Sequence, residues 1–192
     1  MKKSKVAIVV ATLILIYAVF NLIQNQKNLN NSMENYSAEV QGRQISFLKP
    51  ASFDISIEKE VAGAKARGYV QIKPIYCGDA SASLINISVT DKNKSTEPYG
   101  GGDFEDSIND YLAKSGSSGS NYELKKIGET DIGPNHFYEI DSYSYGELWG
   151  NQYVNFSTSS MIVINISRRN CTNSAYESNK DTIQKIVSSI EI

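Results

Sequence analysis

Glu139 and Asp141, an acidic pair at alternate positions of a predicted strand, come nearest to a hydrolytic site in this sequence. Glycosidases place two carboxyl groups on either side of the scissile bond. Side chains two residues apart on a strand point the same way, so these two would not flank a substrate. We therefore expect Glu139→Gln and Asp141→Asn to leave the fold intact and to alter partner binding at most.

The other residues with chemical potential also have ordinary explanations. His136 is the sole histidine, whereas a Ser-His-Asp site needs a nucleophile beside the ring and zinc usually needs several His or Cys ligands. Asp103, Glu105 and Asp106 lack the spacing of a calcium loop, and capping of a following helix explains them. The sequence predicts no catalytic residue, no metal site and no cofactor.

The chain has two cysteines, Cys77 and Cys171, and no C-x-x-C motif. Outside the cytoplasm such a pair predicts a disulfide. Because the enclosed loop is long, the chain-entropy model gives a stabilisation of about 4–5 kcal/mol, less any strain. A redox-active role is the alternative.

Asparagine begins an N-x-Ser/Thr triplet at several positions, which in a secreted setting are candidate glycosylation sites. Those predicted in loops or a stalk are Asn30, Asn35 and Asn93. The alternation of a strand can also generate such triplets, as at Asn86, by placing Asn and Ser outside and Ile inside.

Residues 6–23 form an uncharged, largely apolar run that can roughly cross a hydrocarbon core of about 30 Å. Lys2, Lys3 and Lys5 precede it and should stay in the cytoplasm, which places the remainder outside. A cleavable signal peptide is the alternative, but its apolar part is shorter and ends in small residues. We predict a cytoplasmic N-terminus (1–5), a transmembrane anchor (6–23), a polar stalk (24–42) and an extracytoplasmic domain (43–192).

Charge restricts the partners of that domain. The chain carries a net charge of −2, and setting aside the three lysines before the anchor leaves −5. Nucleic acid and anionic lipid reward clustered Lys and Arg. We therefore expect no nucleic-acid partner.

Short alternating segments outnumber helical ones after position 45. Helical spacing appears over 103–114, with Asp103 as the expected N-cap, and again over 175–190. Tight turns join most of the other segments. The pattern predicts an α+β domain with a mostly antiparallel β-sheet flanked by helices, and the turn near Pro50 predicts a small hairpin or bend. The strands are expected at 45–47, 53–57, 69–76, 83–90, 123–127, 137–145, 148–157 and 161–167.

The order of these segments resembles the PsbP-like family, which includes the Ran-binding Mog proteins and DcrB-type lipoproteins. The resemblance covers positions 43–192 and implies an antiparallel sheet with flanking helices that acts by binding. The residues that carry it are Phe47-x-x-Pro50-x-x-Phe53, Asp110-Tyr111-Leu112, Ile127 through Ile132-Gly133 to Tyr138-Glu139-Ile140, the strand from Met161 to Ile166, and Ile183-x-x-Ile186-x-x-Ser189-Ile190.

The leading hypothesis is a membrane-tethered, non-enzymatic binding or structural domain in the periplasm or at the cell surface, whose partner is another envelope or surface protein. The alternatives are an immunity or inhibitor protein directed against a toxin, and a hydrolytic enzyme. Tyr and Trp are frequent interface anchors, although these rings could instead lie beneath a helix. The candidate binding surface comprises Glu139, Asp141, Tyr143, Tyr145, Trp149, Tyr153 and Asn155.

Overall fold

The computed structural model describes residues 15–17, 19, 32–62, 64–74, 84–95, 107–117, 121–169 and 173–192. Within these ranges we number the strands and helices in chain order. They are β1 (Met33–Val40), β2 (Arg43–Pro50), β3 (Phe53–Glu58), β4 (Arg67–Pro74), β5 (Ile85–Asp91), α1 (Lys92–Ser95), α2 (Ile108–Ser117), β6 (Tyr122–Ile132), β7 (Asn135–Ser144), β8 (Glu147–Phe156), β9 (Ser160–Ser167) and α3 (Asn173–Ser188).

Seven of the strands form one antiparallel sheet in the order β3-β4-β5-β9-β8-β7-β6. The remaining two, β1 and β2, form a separate antiparallel hairpin. The prediction of a mostly antiparallel sheet with a few helices is confirmed. The chain crosses from β5 to β9 only after building β6, β7 and β8, so the centre of the sheet joins distant parts of the sequence.

Alternation along the strands gives the seven-stranded sheet two different faces. In β5, Ile85, Ile87 and Val89 are fully buried, whereas Asn86 and Ser88 on the opposite side are half-buried. We call the side with the three aliphatic residues the α3 face, because α3 packs there through Ile183, Ile186 and Val187, among others. The other side is the α2 face.

The β1–β2 hairpin covers another part of the α3 face. Val40 and Ile45 of the hairpin are fully buried in the same core as α3 and the sheet. The C-terminus ties this layer together, since Ser46 and Glu191 exchange two backbone hydrogen bonds of 2.9 and 2.8 Å. The hairpin, α3 and the chain end therefore form one continuous cover.

The cover of the α2 face is smaller. Ile108, Tyr111 and Leu112 of α2, at helical spacing, pack on a second cluster that includes Ile140 and Val154. Ser107 caps the helix, because its Oγ accepts a hydrogen bond from the backbone N of Asp110 at 3.3 Å. The predicted cap Asp103, with Glu105 and Asp106, lies outside the described residues.

One expectation about the first half of the domain is wrong, and one of the two alternatives for the turn near Pro50 is confirmed. Residues 33–40, predicted as part of the stalk at 24–42, form β1, so the folded unit includes residues before position 43. Polar residues such as Glu34, Asn35 and Glu39 separate the apolar ones there, but Tyr36, Ala38 and Val40 alternate and pack inward. The turn near Pro50 is a bend and not a hairpin, since β2 pairs with β1 and β3 pairs with β4.

Other predictions fall on undescribed positions. Cys77 and Cys171 lie outside the described residues, as does most of the predicted anchor. Residues 15–17 and 19 of that segment are helical and exposed. In the part of the chain that the structure describes, no helix combines the length and the apolar character needed to cross a membrane.

Candidate binding surface

A tight hairpin turn between β7 and β8 presents the aromatic end of the predicted surface. Tyr145 and Gly146 occupy the two turn positions with φ angles of 53° and 77°, which is the geometry of a two-residue type I′ hairpin. The Tyr145 side chain is 81% exposed, and Trp149, shortly after the turn, is 40% exposed. These two rings are therefore available for contact with a partner.

Glu139 and Asp141 lie side by side on the α3 face of β7. Their register partners on β8 are Tyr153 and Asn151, which places the four side chains in one patch. Asp141 accepts hydrogen bonds from the Asn151 amide and, at 3.3 Å, from the Tyr143 hydroxyl. The ion pairs found among the described residues do not include Glu139.

The Glu139 carboxylate lies over a strand position without a side chain. Gly128 follows a bulge in β6, and a Cβ atom there would be 3.3 Å from Glu139 Oε2. Burial raises the pKa of the nearby Tyr153 hydroxyl, and the negative charge of Glu139 raises it further. Glu139 thus faces the Tyr153 hydroxyl, and Asp141 faces Lys125 of β6 in the strand register.

Tyr153 is the predicted surface residue that lies beside a helix. It packs against the main core and lines a cavity of about 270 Å³ between β8 and α3. The other polar or aromatic residues around this cavity are Asn151, Arg168, Tyr176, Lys180 and Gln184. The alternative that the rings lie beneath a helix thus applies to Tyr153, but not to Tyr145 or Trp149.

Cationic side chains frame the patch. Lys125 Nζ lies 4.7 Å from the centre of the Tyr143 ring, and the Arg169 guanidinium lies 5.5 Å from the Trp149 ring while also bonding Glu147. Such contacts orient aromatic rings at the surface. The patch thus has an acidic centre and an aromatic rim held by cations.

Arg168 fixes the position of Asn151. Its Nε and Nη2 both donate to Asn151 Oδ1, at 3.1 and 3.0 Å, while its guanidinium stacks 4.9 Å from the Tyr176 ring. Because Asn151 in turn donates to Asp141, a chain of bonds holds the carboxylate. Arg168 and Tyr176 were not predicted from the sequence, because their positions depend on the pairing of β8 with β9 and on the packing of α3.

His136 lies away from this patch, next to β6. Its Nδ1 is 2.8 Å from Asp131 Oδ1 and its Nε2 is 3.1 Å from Glu129 Oε2. The bond to Asp131, followed by that to Glu129, raises the pKa of the ring. Both ring nitrogens thus contact carboxylates, so neither is placed to activate a nucleophile.

The structure describes three of the asparagines singled out from the sequence, Asn155, Asn35 and Asn93, but not Asn30. Asn155 is half-buried and its amide donates to the His136 carbonyl at 2.7 Å, so it is part of the fold. Asn35 is exposed on β1, in a strand and not in the predicted stalk. Asn93 is exposed in α1, and its backbone N donates to Asp91 Oδ1 at 2.9 Å.

The chemistry available to the patch is electrostatic and aromatic contact. Glu139 and Asp141 project from one face of one strand, as the sequence predicted. No grouping of three or more His, Cys, Asp or Glu side chains that could hold a metal occurs within the described ranges. The arrangement suits recognition of a basic side chain flanked by apolar surface.

No family model matches the chain, and no curated protein matches it. Among solved structures, the chain is similar to the solution structure of cyanobacterial PsbP (CyanoP) from Synechocystis sp. PCC 6803, with 16% sequence identity and a TM-score of 0.44. The match covers 84% of this chain and 92% of that chain. A likeness at this level assigns neither a family nor a function, and the PsbP-like resemblance stays a prediction.

Proposed function

We propose that this protein is a non-enzymatic binding module, tethered to a membrane by residues 6–23 and held outside the cytoplasm. Its partner is another envelope protein, which presents a Lys or Arg next to an apolar side chain. The basic group lies against Glu139 and Asp141, and the apolar group packs on Tyr145 and Trp149. The observation that carries the proposal is a half-buried acidic pair on β7, on the strand that leads to the hairpin turn where Tyr145 and Trp149 are exposed.

The charges around Glu139 favour a basic partner. Asp141 already receives hydrogen bonds from Asn151 and Tyr143, so its carboxylate is fixed in place before binding. Glu139 lies above Gly128, where no side chain competes for the space. A carboxylate that is already held in place, as Asp141 is, gains more from an incoming cation than a mobile surface carboxylate would.

The same contacts disfavour catalysis at this patch. Asp141 is bonded by an amide and a phenol, and its neighbour Glu139 projects from the same strand face. A hydrolytic pair would instead lie on opposite sides of a bound substrate. We expect Glu139→Gln and Asp141→Asn to weaken partner binding without loss of stability, and a turnover activity abolished by either substitution would contradict the proposal.

Site-specific photo-crosslinking in intact cells tests the interaction. A photoreactive amino acid at position 145 of the full-length chain should capture a protein, since this side chain is 81% exposed at the rim of the patch. The matched control position is Ile57, which is 40% exposed on β3 near the opposite edge of the sheet. The adduct should disappear with Glu139→Lys. Equal adducts at positions 145 and 57, or none at 145, would refute the proposal.

Labelling of intact cells tests the location separately. A cysteine at position 145 should react with a membrane-impermeant maleimide before lysis, because the anchor orientation places the domain outside. Protection in intact cells followed by labelling after lysis would contradict the proposed topology.

A further inference from the structure

A second cavity lies on the α2 face of the sheet, away from the proposed protein-binding patch. Its volume is about 340 Å³, near the lower end of the range for small-ligand sites. Side chains of four adjacent strands, β4, β5, β9 and β8, form the floor, and Tyr111 of α2 forms one wall. The lining residues are Val61, Arg67, Tyr69, Asn86, Ser88, Tyr111, Gln152, Met161, Val163 and Asn165.

A row of carboxamides crosses the floor of this cavity. Asn86 pairs with Asn165 in the β5–β9 register, and Asn165 pairs with Gln152 in the β9–β8 register. The three amides therefore lie side by side on one face. Amide groups both donate and accept hydrogen bonds, so a row of them can bind several hydroxyl groups of one ligand.

Gln152 is already fixed by protein contacts. The Tyr111 hydroxyl donates to its Oε1 at 2.8 Å, and its Nε2 donates to the Tyr122 hydroxyl at 3.1 Å. Tyr69 is likewise held, since its hydroxyl donates to Glu58. These contacts orient one end and one wall of the cavity before any ligand arrives.

Two buried polar atoms on the β4 and β5 side of the cavity lack a hydrogen-bond partner among the described residues. Arg67 Nε and Asn86 Oδ1 are buried, and no hydrogen-bond partner is found for either among the described residues. The ion pairs of those residues do not include Arg67, although it is the charged member of the lining. A buried donor and a buried acceptor without partners are unfavourable, and a ligand would satisfy both.

From these contacts we infer that the cavity binds an acidic sugar: a monosaccharide-sized ligand with one carboxylate and several hydroxyl groups. The carboxylate pairs with the Arg67 guanidinium, whose planar fork matches a carboxylate. A hydroxyl donates to Asn86 Oδ1, and others bond Asn165 and Ser88. The Tyr69 and Tyr111 rings supply the apolar walls against which the C–H groups of a sugar ring can pack.

Isothermal titration of the full-length chain in detergent micelles with D-glucuronate tests this site. Two matched ligands separate its two requirements, because D-glucose lacks the carboxylate and acetate lacks the hydroxyl groups. We expect glucuronate to bind about tenfold or more tightly than either, as loss of one charge-assisted contact predicts. A short oligomer of uronate units distinguishes a polysaccharide end from a free sugar acid as the source of the ligand.

Variants locate the binding on the chain. Arg67→Gln should weaken glucuronate binding about tenfold or more, whereas Arg169→Gln removes the same charge outside the cavity and should leave it within about twofold. Asn165→Asp, nearly isosteric, should also weaken binding by repelling the carboxylate, and it provides a second reading should Arg67→Gln unfold. Equal binding of acetate and glucuronate, no binding up to about 10 mM, or equal loss in both arginine variants would overturn the inference.

Discussion

The two faces of the seven-stranded sheet differ in what covers them, although the same strands build both. On the α3 face, Ile87 of β5 is fully buried beneath the hairpin and the last helix. On the α2 face, the next residue, Ser88, lines an open cavity. Adjacent positions of β5 thus serve two purposes: its α3 side stabilises the fold and its α2 side is available for binding.

The amount of cover explains this division. The hairpin, α3 and the C-terminus form a continuous layer over the α3 face, and the aliphatic residues of three central strands pack against it. Among the described residues, a single short helix covers part of the α2 face, over a cluster that includes Ile140 and Val163. We therefore expect substitutions of the buried residues beneath this layer to change global stability, and substitutions on the α2 face to change local order or binding.

The largest difference in the free energy of unfolding should be between variants of two adjacent residues of β5, one on each face. Ile87→Ala removes a fully buried side chain from the main core, so we expect a loss of about 2–5 kcal/mol in the free energy of unfolding. Ser88→Ala on the other face removes a hydroxyl whose bond to the Val163 carbonyl is long, 3.4 Å, and should change stability by less than about 1 kcal/mol. Urea unfolding of both variants measures the comparison, and equal losses would show that the two faces contribute equally.

A smaller loss of stability is expected at Gly68 of β4, which packs against the β1–β2 hairpin. A Cβ atom on Gly68 would lie 2.3 Å from the Lys59 carbonyl oxygen and 2.6 Å from Val40 Cγ1, so Gly68→Ala must displace backbone. Overpacking of this kind typically destabilises by about 1–3 kcal/mol.

Gly128→Ala is the matched control for Gly68→Ala. Its Cβ would meet the end of the Glu139 side chain at 3.3 Å, and that side chain can move. We expect a smaller loss in the same urea experiment. A Gly68→Ala protein as stable as the unaltered chain would show that the hairpin is not closely packed on the sheet.

The next prediction concerns the single helix over the α2 face. Ser107→Ala removes the cap of α2, which should favour local opening of that helix by about 0.5–2 kcal/mol, whereas Ser107→Asn keeps a capping oxygen. Amide hydrogen exchange should show faster exchange in α2 and unchanged exchange in α3. Equal acceleration in both helices would show that α2 opens only with the whole domain.

The sequence predicted the elements whose hydrophobic period is regular. Ile85, Ile87 and Val89 alternate strictly, and Ile183, Ile186 and Val187 repeat at helical spacing, so β5 and α3 were found. It failed at β1, where inward residues are interrupted by Asn, Ser and Glu and resemble a linker. The pairing of β1 with β2 supplies the hydrogen bonds that local composition does not indicate.

The sequence could predict that two site residues lie close together only where both belong to the same strand. Glu139 and Asp141 share a face because they are two residues apart, which the sequence shows directly. The contact of Arg168 with Asn151, and the alignment of Asn86, Asn165 and Gln152, depend on which strands are neighbours. Because β5 lies next to β9 and not next to β6, the order of the strands along the chain could not predict either arrangement.

The smallest expected effect lies near the edge of the sheet, at His136 of β7, which faces Asp131 of the edge strand β6. Hydrogen bonds from the ring to Asp131 and then Glu129 raise its pKa above the ordinary value of about 6.5. The folded state therefore binds the proton more tightly than the unfolded state. This contribution to stability is fully present below about pH 6.5 and is lost as the pH rises through the raised value. Solvent screening keeps it small.

As the chain has one histidine, NMR titration of its ring protons reports this pKa without assignment ambiguity. We expect a value above 6.5 in the folded chain that falls towards it in urea, because unfolding separates the ring from both carboxylates. Asp131→Asn should lower the folded value more than Glu129→Gln, since the Asp131 bond is the larger cause. An identical pKa in the folded, unfolded and substituted chains would show that this edge of the sheet does not hold the three side chains together.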